Sequence, residues 1–109
     1  DYNALNFGCE GVTSWGGAFE TLPIEGYVPA DPDLAISETD DFYISFYNQT
    51  TRDLMLAYKR KDAEDWAIVT VDDAGDVGQA SSIDIGEDGS VHISYFDATN
   101  GKLKYARGE

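Results

Sequence analysis

Apolar and polar residues alternate with period two in short runs along this chain, and a helical period is nowhere sustained, so strands are expected throughout. Trp66, Ile68 and Thr70 fall on one face of a first such run, with Ala67, Val69 and Val71 on the other. A polar, glycine-containing turn or loop follows over residues 72–78. The next strand is expected over 82–86, with Ile83 and Ile85 together, and Asp88-Gly89 is a hairpin signal. Val91, Ile93 and Tyr95 then alternate with His92, Ser94 and Phe96. Asn100-Gly101 is the strongest hairpin dipeptide available, since a type I′ turn needs positive φ at both positions, and Leu103 and Tyr105 mark a closing strand. The first half reads the same way. Strands are expected over 15–22, ended by Pro23, around Leu34 and Ile36, over 42–47 and over 53–58, with a proline-rich connection over 28–32.

The two halves are copies. Displacing the sequence by 49 residues without a gap lays residues 17–60 on 66–109 with 11 identities in 44 positions. The run Tyr43, Ile44, Ser45, Phe46, Tyr47 falls on His92, Ile93, Ser94, Tyr95, Phe96, and Leu54 and Ala57 fall on Leu103 and Ala106. Leu5, Phe7 and Gly8 match Leu54, Leu56 and Ala57 at the same offset, so a truncated third copy opens the chain. Turn residues drift between copies, Asp40-Asp41 for Asp88-Gly89 and Thr51-Arg52 for Asn100-Gly101, while the apolar alternation holds. Four antiparallel strands in each long repeat is the pattern of a β-propeller blade.

The residues of the second copy, from Trp66 through Gly75, Val77, Gly78, Ser82, Ile83, Asp84, Gly89, His92, Ile93, Ser94, Tyr95 and Asp97 to Leu103, Lys104, Tyr105 and Ala106, resemble the blade repeats of bacterial secreted β-propellers, loosely grouped with sialidase-like repeats. The resemblance implies an all-β propeller fold and a secreted or extracytoplasmic setting, and no reaction. Ser82, Asp84 and Gly86 fit the opening of the Asp-box pattern of sialidase propellers, but the aromatic that should follow is missing and the match falls inside an expected strand, so it is read as coincidence. The expected division is 1–10 as the fourth strand of a preceding blade, 11–60 as one blade and 61–109 as another. Residues 4–9 would be that lone strand, its three companions supplied before Asp1 or exchanged between subunits to cover an edge. Two blades leave apolar faces bare, and about three or more repeats are normally needed. Self-association, with three chains giving six blades, or a longer parent chain is therefore expected.

Composition narrows the partners. With 21 Asp and Glu against 7 Lys and Arg, the formal net charge is −14. Such a surface repels phosphates and anionic lipid, which argues against nucleic-acid binding. No run approaches the ~18 apolar residues of a membrane span, and no cleavable signal pattern is present. Hydrophobic residues at 42% and aromatics at 13% supply a core. Cys9 is the sole cysteine, so there is no intrachain disulfide, and it is expected as a small buried residue. The chain starts at Asp1 without methionine, as a mature product, a proteolytic fragment or an excised segment would.

Candidate chemistry is sparse. His92 is the only histidine and Tyr43 is its counterpart, so a general base is not expected there, and no nucleophile, base and orienting carboxylate can be assembled from spacing. Asp72, Asp73 and Asp76, in one loop with Gly75, are the densest set of hard oxygen ligands and the candidate Ca²⁺ site. Their counterparts are Pro23, Ile24 and Tyr27, so the cluster is not part of the repeat design. Trp15, Trp66 and Tyr47 are the candidate ligand-binding residues, since sugars stack on aromatic rings, although most aromatics alternate in strands as packing residues do. The expectation is a noncatalytic binding or structural module, with an oligomeric glycan-binding lectin, or the noncatalytic part of a glycan-active enzyme, as alternatives.

Overall fold

A computed structural model of the chain describes residues 17–109. The expected strand over 4–9, Cys9 and Trp15 lie outside the described residues. Within them the fold is all-β and antiparallel, with seven strands and no helix. Strands β1 (Pro29–Ile36), β2 (Phe42–Asn48), β3 (Asp53–Lys59) and β4 (Ala67–Asp72) make a four-stranded sheet in chain order, and β5 (Val77–Ile85), β6 (Val91–Asp97) and β7 (Lys102–Gly108) make a three-stranded one.

The 49-residue period is written into the register. Leu34 pairs with Ile44 and Ile44 with Ala57 across the first sheet, and Ile83 with Ile93 and Ile93 with Ala106 across the second. The backbone follows suit. The register breaks between Ala30 and Asp33 in β1 and between Gln79 and Ser82 in β5, positions 49 apart. Left-handed residues recur in pairs at the same spacing: Gly26 (φ 88°) with Gly75 (101°), Asp31 (52°) with Ala80 (54°), Asp40 (65°) with Gly89 (85°), and Arg52 (67°) with Gly101 (65°). In three of these pairs an L-residue holds a conformation that costs roughly 1 to 2 kcal/mol. Turn geometry is therefore retained where turn sequence is not.

Three expectations change. Residues 17–28 contain no strand, so the strand expected over 15–22 is not found in its described part. The strand over 67–72 does form, but it hydrogen-bonds to β3 and closes the first sheet instead of opening the second. The sheets are thus displaced by one strand from the repeat boundary drawn at residue 60, and the second has three strands where four were expected. Finally, the proline-rich connection over 28–32 is mostly strand. Pro29 starts β1 and Pro32 sits in its bulge, and β1 is an edge, so neither missing N–H breaks a ladder.

The sheets pack face to face. Tyr43 and Leu54 from the first sheet meet Val77, Ile83, Val91, Ile93 and Tyr95 from the second in one core cluster. The far face of the first sheet carries Phe46, Met55 and Ala57, covered by Leu22, Ile24 and Tyr27 from the preceding segment, with Trp66 and Ile68 of the expected β4 face alongside. Gly78 (φ 114°) lies where a Cβ would come within 2.8 Å of Leu54 Cα, a close approach only glycine permits.

Candidate functional site

Between the sheets, at the end where the β1–β2 and β5–β6 turns lie, a cleft of about 670 Å³ opens. Alternation builds it. Tyr43, Leu56 and Tyr58 project from β2 and β3, Val69 and Val71 from β4, and Ile93 and Ala106 from the opposing sheet. Tyr43 and Tyr58 are paired across the strands, with ring centroids 6.3 Å apart and planes 27° apart. The rim is charged. Asp41 accepts from Lys61 N at 2.8 Å and from Thr39 Oγ1 at 3.0 Å, with Arg60 Nη1 3.8 Å away. The Lys61 amide is the main cause holding the Asp41 carboxyl below the ordinary carboxylate range. Arg107, at the other lip, lies 3.4 Å from Asp88 and 3.5 Å from Glu109. An apolar floor with an aromatic wall suits an uncharged ligand face, and a rim in which Glu38, Asp41, Glu87, Asp88 and Glu109 outnumber Arg60 and Arg107 disfavours an anion.

The candidate ligand-binding residues do not converge there. Tyr47 lies between the sheets, its hydroxyl donating to Asp76 Oδ1 at 2.5 Å. Burial, reinforced by that carboxylate, pushes its phenol up to about 12. Trp66 belongs to the far-face cluster, its Nε1 donating to Glu20 Oε1 at 3.2 Å and its ring 6.5 Å from Phe42. The rings that do line the cleft, Tyr43 and Tyr58, were legible as a cross-strand pair once the hairpin register was fixed.

Two of the candidate Ca²⁺ ligands, Asp72 and Asp76, are engaged by different donors. Asp72 Oδ2 accepts from Lys104 Nζ at 2.7 Å and from Tyr95 OH at 2.6 Å, which ties β4 to the second sheet. Burial works to raise this carboxyl, but the two side-chain donors and the Ala74 amide outweigh it and hold the acid at about 2. Burial, reinforced by the same carboxylate, pushes Tyr95 upward. Asp76 is engaged by Tyr47 and by Gln79 Nε2 at 2.9 Å. Among the described residues no group of three or more acidic, His or Cys side chains is arranged to hold a metal ion.

The fold also brings the single histidine against a serine. Ser90 Oγ lies 2.8 Å from His92 Nε2 and 2.6 Å from Asp88 Oδ1, and His92 Nδ1 lies 2.7 Å from Tyr105 OH. The signal was the i, i+2 spacing of Ser90 and His92 on one strand face after a tight turn. Ser90 has one proton, given to Asp88, so its Oγ is left as an acceptor toward His92 Nε2. The hydroxyl proton is thus not offered to the imidazole, and Ser90 is only 3% exposed. The group orders the β5–β6 turn and stacks His92 on Tyr105, centroids 5.8 Å apart.

Family models, curated proteins and solved structures were all compared with this chain, and none matches it.

Proposed function

We propose that the chain is a noncatalytic binding or structural module of a β-propeller, acting as part of a larger or oligomeric propeller in an extracytoplasmic setting. The observation that carries this reading is the 49-residue equivalence of the two sheets, which extends through strand register, bulge position and the sign of φ at four backbone positions. Equivalence at that level describes packing units in a series, the property that defines repeat arrays. The noncatalytic part of the reading is supported by the Ser90 proton being directed to Asp88 and by Tyr43 standing in the place of His92 in the other copy. Incubation with sialosides and other common glycosides tests it: no turnover is expected from the wild type. Turnover that His92→Ala abolishes while the far-ultraviolet spectrum is kept would make the protein an enzyme.

The cleft favours a second reading, a glycan-binding lectin. Tyr58 and the apolar floor supply a stacking surface, and Asp41, Glu38 and Thr39 supply rim acceptors and donors. A glycan array with the intact protein tests this, and Tyr58→Ala should abolish any signal it gives.

A further inference from the structure

Eight large hydrophobic residues are exposed among the described residues: Phe19, Val28, Leu34, Ile36, Val69, Phe96, Leu103 and Tyr105. Six of them are not scattered. Displaced by 49, Phe96, Leu103 and Tyr105 become Tyr47, Leu54 and Leu56, which the first sheet turns toward the second, and Leu54 is fully buried there. Displaced the other way, Val28, Leu34 and Ile36 become Val77, Ile83 and Ile85, which the second sheet turns back toward the first, with Val77 fully buried. Each set of three is thus the image of one half of the contact that already joins the two sheets. They lie on opposite ends of the pair.

We propose that these two faces bind each other between copies of the chain, the outer face of β6 and β7 in one copy docking on the β1 side of the far face of the first sheet in the next. The inference rests on the repeat reading above and names its contact. The occupant is specified by continuity: the surface that fits Leu54 and Leu56 within one chain is the surface whose image Val28, Leu34 and Ile36 present. On a chain of net charge −14, the β6 and β7 rows of the docking face carry His92 with Arg107, Ser94 with Tyr105 and Phe96 with Leu103, and Asp84 of β5 is the acidic residue opposite His92. Because the two faces differ, the contact is heterologous, and it must close a ring or continue as a filament.

The copy of the internal contact is imperfect. Asp33 Oδ2 accepts from Ile83 N at 2.8 Å and Asp31 Oδ2 from Ala80 N at 3.1 Å within the chain, but the images of the two aspartates are Ser82 and Ala80. Gly78, whose lack of a side chain lets it lie against Leu54, has Pro29 as its image. Contact between copies is therefore weaker than contact within one, and assembly depends on concentration.

The test is complementation between two blocked variants in sedimentation velocity. Leu103→Asp blocks one face and Leu34→Asp the other, and at 85% and 55% exposure neither change opens the core. The wild type should associate with rising concentration, each variant alone should stay monomeric, and an equimolar mixture should stop at a one-to-one dimer, since each partner keeps one working face. Far-ultraviolet circular dichroism checks that the sheets persist, and Tyr105→Lys with Ile36→Lys replaces any variant that unfolds. A folded wild type that remains monomeric, Leu34→Asp dimers formed without Leu103→Asp, or a mixture with no heterodimer would each overturn the proposal. Those outcomes leave the noncatalytic reading standing, and glycoside turnover would do the reverse.

Discussion

Ile44 and Ile93 occupy the same place in the repeat, and replacing each by alanine should nevertheless cost different amounts. Both are flanked by equivalent partners, Leu34 and Ala57 in one case and Ile83 and Ala106 in the other. Ile93 is 2% exposed in the core between the sheets, whereas Ile44 is half-buried on the far face of the first sheet. Ile→Ala removes three carbon groups, worth about 0.8 kcal/mol each when buried, so transfer alone costs roughly 2.5 kcal/mol at Ile93. A closed cavity adds to that, for a total of about 3 to 4 kcal/mol, inside the range found for such truncations. At Ile44 about half of the transfer cost applies and no closed cavity is left, so about 1 kcal/mol is expected. Urea unfolding followed by tryptophan fluorescence would measure both, in a Leu103→Asp background that keeps the chain monomeric. A shift in midpoint at constant slope reports stability alone. Equal costs at the two sites would refute the assignment of the covered and the bare face, and a larger cost at Ile44 would invert it.

Asp72 has its acid pushed down to about 2, so its contribution to stability is complete above about pH 4, the usual carboxylate value, and is lost as pH falls from there through 2. Asp72→Asn should flatten acid unfolding over that window. Tyr47 is raised to about 12, so the folded state keeps its proton after the unfolded chain has lost it near 10, and stability falls between pH 10 and 12. Tyr47→Phe should remove part of that alkaline loss, and phenolate absorbance should show late-titrating tyrosine in the wild type. Arg52→Gly should raise stability by up to about 1 kcal/mol, since it relieves a left-handed L-residue, while Gly101→Ala should lower it by a similar amount. Millimolar Ca²⁺ should leave the melting temperature unchanged, because Asp72 and Asp76 are already engaged by Lys104, Tyr95 and Tyr47.

The strands that alternate cleanly were legible in the sequence, because a run such as Val91, Ile93, Tyr95 has one buried face and the pleat leaves no choice about which residues share it. The partner of a strand is another matter. Residues 67–72 read as a strand whichever sheet they join, and only the β3 ladder decides that they close the first sheet. The same gap hid the candidate site. Tyr43 and Tyr58 meet through register and not through sequence proximity, while Asp72 and Asp76 are close in sequence and are engaged by different long-range donors, Lys104 and Tyr47. Local spacing carries neither fact.

A sheet boundary displaced from the repeat boundary also bears on how such a chain can change length. Deleting residues 37–85 would bring β1 up to β6 in the register that β5 now holds, since Ile36 faces Phe42 as Ile85 faces Val91. Unequal recombination at that offset therefore preserves the pairing across the splice when the cut falls in the first hairpin turn of each sheet. An excised fragment obeys the opposite rule: one cut at residue 60 carries β4 away from β3, whereas one spanning 29–72 keeps a whole four-stranded sheet together.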